Sequence, residues 1–525
     1  MDYAGVIAQL RALAPEARGM TADSRRLRAG EVFLAYPGAA HDGRAHIAAA
    51  ATAGAVAVLW EPAGQVWSGG EIANLPLPDL KRHAAGLAAA WYGQPSQALW
   101  MTGITGTNGK TSVAHWTAAA WTALGRKTAT IGTIGNGFPG EAFRAASSAP
   151  TAHSHTTPDA VSLQGLLADY REAGAEGVAM EVSSHGLDQG RVAEVAFDVA
   201  VLTNLSQDHL DYHGDMASYA AAKARLFAWP GLKWAVLNGD DELGASLARQ
   251  LRGGTSEVLS YGLDGLPPRS QNPLAAPRGG EMPGLGRPGA GHGGDLRARI
   301  LRADRDGLRL EIVSPWGMGE LVSPLLGEFN AYNLLAALGA LLAGGAKLDD
   351  ALAALAKVEA VPGRMQRVAG PFTGRTDEPT VIVDFAHTPD ALDKALAALK
   401  PLARGRLICV FGCGGGRDTA KRPLMGAAVA ARADLAIVTS DNPRNENPAH
   451  IIADILAGMP PGTDAIVDRR TAIRMAILGA APEDIVVLAG KGHETYQEIE
   501  GVKHPFSDLE EAQQTLALRR AHAPA

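Results

Sequence analysis

Short runs of apolar residues alternate with helix-patterned segments along most of this chain, and this alternation limits the folds open to it. The runs lie at 31–36, 55–60, 177–182, 198–203, 380–385, 406–411, 435–440 and 484–489. Segments between them, such as 79–93 and 388–402, carry apolar residues at helical spacing. Strands without a polar face, separated by helices, are typical of parallel sheets that are covered on both sides. The sequence therefore predicts an α/β fold.

The length of 525 residues predicts more than one domain, because a single core rarely grows beyond about 250–300 residues. We predict three α/β domains, at 1–97, 98–360 and 361–525, with a mainly parallel sheet in the central one and a Rossmann-like third one. The segments 93–97 and 360–364 each precede a new strand-like run and are predicted to be linkers. Residues 262–294 are rich in Gly and Pro, which predicts a mobile surface insertion in the central domain.

Composition excludes several classes of protein. The formal net charge of −7 disfavours a general nucleic-acid binder, which normally presents a basic face. Only two cysteines are present, Cys409 and Cys413, so a disulfide framework is not expected. The first residues do not have the pattern of a secretory signal, and no run approaches the roughly 20 apolar residues that span a bilayer. A cytoplasmic location is therefore expected, with no membrane or nucleic-acid partner.

The strongest local motif is WMTGITGTNGKTS at 100–112, where a strand-like run ends in a glycine-rich turn before a helix. Backbone N–H groups in such a turn bind phosphate oxygens. Lys110 can reach the β- and γ-phosphates, and the Thr111 hydroxyl can bind Mg²⁺. Ile104 replaces the first glycine of the strict phosphate-loop pattern, so this is a variant. The alternative is a glycine turn followed by a solvent-exposed lysine.

This variant loop resembles that of the Mur ligases and of their folylpolyglutamate synthetase relatives, and further blocks follow in the same order as in the Mur ligases. They are DSR (23–25), TTPDA (156–160), EVSSHGL (181–187), NLSQDHLDYHG (204–214), AAKARLF (221–227), GEFNAYN (327–333), PGRMQ (362–366), DFAHTPDAL (384–392), GCGGGRDTAKRPLMG (412–426), DNPRNENP (441–448) and GKGHE (490–494). Each block alone is weak evidence, but eleven blocks in order are highly specific.

The resemblance implies an ATP-dependent ligase of peptidoglycan precursor synthesis, which joins an amino acid to a peptide through an acyl phosphate. Its first domain would bind UDP, its central domain would be a P-loop ATPase, and its third would bind the amino acid. The implied substrates are UDP-N-acetylmuramoyl-L-alanyl-D-glutamate and meso-2,6-diaminopimelate, and a monomer is expected. Alternatives are the lysine-adding branch of the family, a folylpolyglutamate synthetase-like ligase, and a nucleotide-binding regulator without turnover.

The resemblance also assigns roles to individual residues. Lys110, Lys223, His209 and Glu181 are implied to be catalytic. The metal ligands are implied to be Thr111, Glu181, His209 and Lys223, the last as a carbamate formed with CO2. The implied nucleotide-binding residues are Gly106, Thr107, Asn108, Gly109, Lys110, Thr111, Ser112, Asn330, Asn333, Arg364, Asp384 and His387. Those implied for the UDP-peptide are Ser24, Ala39, Ala40, His41, His155, Thr156, Thr157, Ser183, Gln189 and Arg191.

The amino-acid pocket is predicted from the DNPR and GKGHE blocks. Its implied residues are Arg417, Asp441, Asn442, Pro443, Arg444, Gly490 and Glu494. Arginine can grip the distal carboxylate of diaminopimelate with two hydrogen bonds, whereas lysine lacks that carboxylate.

Several of these side chains also have ordinary structural readings. Lys223 would be a solvent-exposed lysine, His209 a capping or core residue, and DNPR a turn with a surface arginine. Asn330 and Asn333 would be helix N-caps.

Overall fold

The computed structural model describes residues 1–38, 41–140, 156–264, 295–368, 378–416 and 418–521. Four predicted site residues, Ala39, Ala40, His155 and Arg417, lie outside this range. Most of the predicted insertion lies outside it too. Its first residues do not form a loop, however, because Gly262 and Leu263 belong to a strand. The insertion was therefore predicted to begin too early.

The described residues form twenty-two strands. They are β1 (Gly19–Thr21), β2 (Glu31–Ala35), β3 (Ala57–Trp60), β4 (Ala73–Pro76), β5 (Trp100–Thr105), β6 (Thr128–Gly132), β7 (Gly135–Gly137), β8 (Gly177–Glu181), β9 (Val199–Leu202), β10 (Trp234–Asn238), β11 (Glu257–Leu263), β12 (Asp295–Asp304), β13 (Gly307–Ser314), β14 (Gly317–Ser323), β15 (Gln366–Arg367), β16 (Thr380–Asp384), β17 (Leu407–Phe411), β18 (Leu435–Thr439), β19 (Asp464–Ile466), β20 (Ile485–Ala489), β21 (Tyr496–Ile499) and β22 (Val502–Pro505).

The same part of the chain forms sixteen α-helices. They are α1 (Tyr3–Leu13), α2 (Ile47–Thr52), α3 (Leu80–Trp91), α4 (Lys110–Ala123), α5 (Ala160–Glu172), α6 (Ser184–Asp188), α7 (Leu210–His213), α8 (Met216–Ala224), α9 (Glu242–Leu251), α10 (Glu328–Ala343), α11 (Leu348–Leu355), α12 (Pro389–Leu399), α13 (Lys421–Ala430), α14 (Pro448–Leu456), α15 (Arg469–Leu478) and α16 (Asp508–Ala521).

These strands build three sheets, in keeping with the predicted three-domain α/β fold. The first has the order β1-β2-β3-β4 and is parallel throughout. The second has the order β14-β13-β12-β11-β10-β9-β5-β8-β6-β7, with antiparallel strands only toward its two edges. The third has the order β15-β16-β20-β17-β18-β19, in which only β15 is antiparallel. Strands β21 and β22 form a separate hairpin. All eight strands predicted from apolar runs are present.

The central strands are buried because helices cover both faces of the sheets. Every residue of β8, β9, β17 and β20 is buried. On one face of the second sheet, α4 and α10 pack over Ile104, Val201 and Val236. On the other face, Leu163 and Leu167 of α5 pack over Met101 and Met180. This two-sided covering explains why these strands contain no alternating polar residues.

The parallel topology places the candidate site residues at the carboxyl ends of neighbouring strands. In the second sheet, β5 lies between β9 and β8, and the loops after these three strands lie side by side. In the third sheet, the loops after β16, β20, β17 and β18 also lie side by side. Ligands of α/β proteins bind at such edges, next to the point where the strand order reverses. No helix among the described residues has the length and apolarity that crossing a membrane requires.

Candidate active site

The glycine-rich loop after β5 is held by the segment that follows β9. Asn204 accepts a hydrogen bond from the Asn108 backbone through its side chain and one from the Thr107 backbone through its carbonyl, at 3.0 and 2.8 Å. The Thr203 hydroxyl donates to the Asn108 carbonyl at 2.6 Å. A Cβ on Gly106 would lie 1.9 Å from that hydroxyl, so this close approach requires glycine. The loop is thus preshaped, and α4 begins directly after it at Lys110, as predicted.

Helix α10 closes the other side of the loop. A Cβ on Gly109 would lie 2.2 Å from Asn333 Oδ1, and Gly109 has a φ of +87°. The Asn333 amide donates to Asn330 Oδ1, and the Asn330 amide donates to the Leu326 carbonyl. The N-cap reading of the two asparagines is wrong, because Gly327 occupies that position. Buried inside the helix, they form a polar pair against the phosphate-binding loop.

Two lysine ammonium groups meet at one carbonyl of the loop. Lys110 Nζ and Lys223 Nζ each donate to the Gly106 carbonyl at 2.9 Å. Lys223 is only 1% exposed, which excludes its reading as a solvent-exposed lysine. Burial, and then the charge of Lys110, hold the pKa of Lys223 well below its ordinary value. Burial also lowers the pKa of Lys110, while Glu181 and Asp208 act in the opposite direction. The loop therefore concentrates positive charge where a polyphosphate would lie.

Glu181, the last residue of β8, is held in place by Thr133. Its two carboxylate oxygens accept from the Thr133 backbone at 2.8 Å and from the Thr133 hydroxyl at 3.1 Å. Glu181 and Thr111 line one small cavity together with His115 and Gly132. No group of three or more His, Cys, Asp or Glu side chains within the described ranges is arranged to hold a metal. A carboxylate and a hydroxyl still fit Mg²⁺, which usually keeps several waters and binds few protein ligands beside phosphates.

His209 lies in an aromatic cluster beside the two lysines. Its backbone φ is +54°, which is uncommon for residues other than glycine. Its ring centroid lies 4.9 Å from that of His185 and 6.1 Å from that of Tyr219. Burial lowers the pKa of His209, and Lys110 and Lys223 lower it further against the opposing effect of Asp208. A neutral imidazole at this place could act as a nitrogen ligand.

Five of the residues implied for the UDP-peptide form one connected cluster, namely Thr156, Thr157, Ser183, Gln189 and Arg191. The Thr157 hydroxyl donates to the Glu181 carbonyl at 3.0 Å and accepts from the Ser183 backbone. Arg191 donates to the Thr157 carbonyl at 3.0 Å and, through two nitrogens, to the Gln189 side chain. Thr156 joins the cluster through a hydrogen bond of 3.1 Å, which its hydroxyl donates to the Thr133 hydroxyl because the Thr133 hydrogen is directed to Glu181. The cluster begins beside the Glu181 carboxylate and extends away from it.

The first sheet adjoins this cluster. Ser24 and His41 lie in the loops that follow β1 and β2, at the carboxyl edge of the sheet. Val161, in the first turn of α5, packs in the core of the first sheet. Burial, and then the charge of Asp159, raise the pKa of Tyr36 just beyond β2. Within the described ranges, no hydrogen bond or ion pair joins Ser24 or His41 to the phosphate-binding loop.

The third sheet reaches the phosphate-binding loop from the opposite side. The Arg364 guanidinium lies 3.4 Å from the Thr111 hydroxyl. Asp384, which ends β16, accepts hydrogen bonds from the Met365 and Ala386 backbones, and its pKa is raised because it is buried. His387 follows three residues later and is exposed. The predicted nucleotide residues of the second and third sheets are therefore brought together.

A second cluster lies at the carboxyl ends of β18 and β20. Asn442 donates to the Glu494 carboxylate at 2.8 Å, and both contact the buried Lys491. Arg444 has a φ of +52° and lies 3.6 Å from Glu498. Gly490 is in the left-handed region, where a Cβ would approach the Asp441 carboxylate to 3.0 Å. Pro443 stands between Asn442 and Arg444 in the same turn.

Sequence reasoning missed several residues that shape these clusters. Thr133 holds Glu181, Asn204 holds the phosphate-binding loop, and Lys491 lies at the centre of the second cluster. Asn204 and Lys491 stand inside the NLSQDHLDYHG and GKGHE blocks, which could have drawn attention to them. Thr133 had no such signal, because nothing in the sequence pairs it with Glu181.

Family comparisons cover most of the chain. Residues 16–92 match the model of the Mur ligase family, catalytic domain. Residues 104–341 match the Mur ligase middle domain, and residues 363–492 match the Mur ligase, glutamate ligase domain. The three matches fall on the parts of the chain that carry the three sheets.

Full-length relatives share this similarity. A protein of Chromobacterium violaceum is 48% identical over 500 residues, which are 94% of this chain and 93% of that protein. A protein of Pseudomonas aeruginosa is 48% identical over 507 residues, 95% of either chain. Both are named UDP-N-acetylmuramoyl-L-alanyl-D-glutamate--2,6-diaminopimelate ligase. A solved structure of a ligase with this name has a TM-score of 0.62 and 36% identity, and covers 97% of this chain and 96% of its own.

Proposed function

Because the chain belongs to the Mur ligase family, we propose that it adds meso-2,6-diaminopimelate to UDP-N-acetylmuramoyl-L-alanyl-D-glutamate at the expense of ATP. The observation that carries the proposal is the 48% identity, over nearly the full chain, to relatives with that name. The protein is an ATP-dependent ligase that forms amide bonds, and the product is a precursor of peptidoglycan.

The reaction would have two steps. A carboxylate oxygen of the peptide attacks the γ-phosphorus of ATP, ADP leaves, and an acyl phosphate forms. The amino group of diaminopimelate then attacks the acyl carbon, phosphate leaves, and the nitrogen loses a proton. Both steps bring anions together, so catalysis depends largely on positioning and on neutralising charge.

The side chains around the phosphate-binding loop suit the first step. Lys110 and Arg364 would neutralise the phosphates, with Asn330, Asn333, Asp384 and His387 completing the nucleotide site. Mg²⁺ would be held by Thr111, Glu181, His209 and a carbamate on Lys223, and would supply charge stabilisation at the phosphates. The 2.9 Å approach of both lysines to the Gly106 carbonyl supports this assignment, because converting one of two neighbouring ammonium groups into an anion removes their mutual repulsion.

The cluster after β18 and β20 suits selection of the amino acid. Arg444 would bind the distal carboxylate of diaminopimelate, and Glu494 together with Asp441 would accept an ammonium group. Lysine would leave Arg444 without that carboxylate. A site built to pair a polar group can reject an analogue lacking it by roughly 10⁴-fold. The partial exposure of Arg444 and its contact with Glu498 reduce the expected discrimination.

Incubation of the protein with ATP, Mg²⁺, the UDP-dipeptide and competing amino acids tests the proposal, with the product identified by mass. We expect the diaminopimelate adduct, formed only when all components are present. A lysine adduct would establish the alternative branch of the family. ATP hydrolysis that needs neither the UDP-dipeptide nor an amino acid would contradict both readings.

The amino-acid pocket is tested by Arg444→Ala. We expect kcat/KM for diaminopimelate to fall about 100-fold, since hydrogen bonds to a charged group are lost, while the KM for ATP stays within about twofold. The control is Arg432→Ala, which removes an exposed arginine that pairs with Asp393 on the surface. Equal use of lysine and diaminopimelate by the wild type would remove Arg444 from the pocket and leave the ligase assignment standing.

A further inference from the structure

Lys491 is a completely buried lysine in the middle of the second cluster. Its side chain has 0% exposure. Its ammonium donates to Asn442 Oδ1 at 3.1 Å and to Glu494 Oε2 at 2.9 Å, and it lies 3.6 Å from Asp441 Oδ1. A buried cation is costly unless it is paired and hydrogen-bonded, so these partners must be held close to it for the fold to keep a charge there.

The three side chains around the ammonium form a closed arrangement. Asn442 donates to the same Glu494 oxygen that accepts from Lys491. Asn442 Oδ1 also accepts from the Glu498 backbone at 3.0 Å, which fixes the orientation of the amide. Removal of the ammonium would therefore take one of the two donors from the Glu494 oxygen and one of the two donors from Asn442 Oδ1.

One acceptor of the cluster is left over. Asp441 Oδ1 is buried and receives no hydrogen bond from the described residues, since Lys491 lies beyond hydrogen-bonding distance of it. Asp441 and Glu494 together carry two negative charges, and Lys491 neutralises one of them. The nearby Arg469 is already paired with Asp508 at 2.6 Å. The cluster therefore keeps one uncompensated negative charge, and Asp441 Oδ1 lacks a hydrogen-bond donor among the described residues.

We propose that Lys491 is a positioning residue of the amino-acid pocket, which fixes Asn442 and Glu494 and leaves the pocket with one negative charge for a single substrate ammonium. This inference rests on the proposed function of the pocket. Without Lys491, two adjacent carboxylates would repel each other and lose their fixed geometry. With it, Asp441 Oδ1 and the held Glu494 present a defined receptor for one ammonium group.

The test compares Lys491→Met with Lys491→Arg and with Lys503→Met as the control. Lys503 is an exposed lysine whose ammonium lies over the ring of Tyr496, the same ring that Lys491 approaches. We expect Lys491→Met to raise the KM for diaminopimelate roughly 10- to 100-fold, as for the loss of hydrogen bonds to charged groups. The KM for ATP should change less than about twofold, because the hydrogen bonds of the Lys491 ammonium go to Asn442 and Glu494 and not to a residue of the proposed nucleotide site. Lys503→Met should match the wild type.

Lys491→Arg keeps the charge, but its planar fork has a different donor geometry. Its KM for diaminopimelate should lie between those of the wild type and Lys491→Met. If thermal melting shows that Lys491→Met does not fold, the KM of Lys491→Arg for diaminopimelate is the measurement that tests the proposal.

The outcomes separate this inference from the proposed function. An unchanged KM for the amino acid in either folded Lys491 variant overturns the positioning role while the ligase assignment stands. Equal rises in the KM for ATP and for the amino acid overturn it as well, since they indicate general damage to the fold. A wild-type protein that adds no amino acid overturns the proposed function and this inference with it. If the wild type adds lysine instead, the same comparison is made with lysine, and the same split in KM is expected.

Discussion

The surroundings of Lys223 change the reactivity expected of its side-chain amine. Its pKa is lowered mainly by burial and then by the neighbouring Lys110. A lowered pKa increases the fraction of lysine present as the neutral amine, which is the form that reacts with CO2. The carbamate that results is an anion, so it would turn the repulsion between the two lysines into an attraction. The environment of Lys223 thus favours the modification that the family resemblance implies.

Lys223→Ala is expected to lower kcat at least 10³-fold, because it removes the proposed carbamate ligand and its charge stabilisation at the phosphates. A short carboxylic acid such as acetate should restore part of the activity by taking the place of the carbamate. The control is Lys233→Ala, which removes an exposed lysine paired with Asp198 and should leave activity unchanged. Full activity of Lys223→Ala would rule out any role of the residue in catalysis.

Residue-scale roles were predictable only where a motif carried them. Burial of Lys223 could not be predicted from AAKARLF, because an alanine-rich helix gives no sign of which face is covered. Thr133 was missed because its partner Glu181 is 48 residues away in sequence. Asn330 and Asn333 were assigned to the nucleotide by resemblance, and their structural reading as N-caps was wrong because Gly327 takes that position.

At the scale of elements, the order of strands in a parallel sheet brings distant loops together. β5, β8 and β9 are neighbours, so the phosphate-binding loop, Glu181 and His209 meet at one edge. Apolar runs predicted these strands, because strands buried on both faces must be apolar throughout. Their order in the sheet could not be read from the runs. The preshaped loop also depends on α10, more than 200 residues away, whose Asn333 packs against Gly109.

Gly109→Ala is expected to abolish ligase activity. A Cβ there would lie 2.2 Å from Asn333 Oδ1, and a φ of +87° is unfavourable for alanine. Gly125 is a control with nearly the same backbone conformation, since its φ is +88° and a Cβ there meets nothing within 4 Å. Gly125→Ala should therefore cost only about 1 kcal/mol of left-handed strain. Measuring activity and thermal melting of both variants separates the effect of the contact with Asn333 from the effect of backbone strain. If Gly109→Ala and Gly125→Ala lose activity and stability to a similar extent, the role of Asn333 is contradicted.

At the scale of the whole molecule, the unit built on the third sheet contacts the phosphate-binding loop through few side chains. Asp390, in the first turn of α12, accepts from the Ser206 hydroxyl at 3.1 Å and from the Asn108 amide at 3.5 Å. Lys394, one turn later, donates to the same carboxylate oxygen at 2.6 Å. Ser206 is in turn tied to Thr107 of the loop by a pair of hydrogen bonds. Asp390 and Ser206 both stand inside sequence blocks, but nothing in the blocks pairs them, because contacts between separate sheets depend on how the units face each other.

Asp390→Ala is expected to raise the KM for ATP about 3- to 10-fold, consistent with the loss of one or two hydrogen bonds to a partly exposed carboxylate. Asp393→Ala is the control on the same helix, because Asp393 pairs with Arg432 on the surface and not with the loop. The bridge itself is isolated by a double-mutant cycle with Ser206→Ala. If Asp390 acts through Ser206, the double variant should be hardly worse than either single one, which corresponds to a coupling of about 0.5–1.5 kcal/mol. Additive effects on kcat/KM for ATP would show that the two residues act separately. The third sheet would then be coupled to the nucleotide loop through the Asn108 amide or through Arg364 and Thr111.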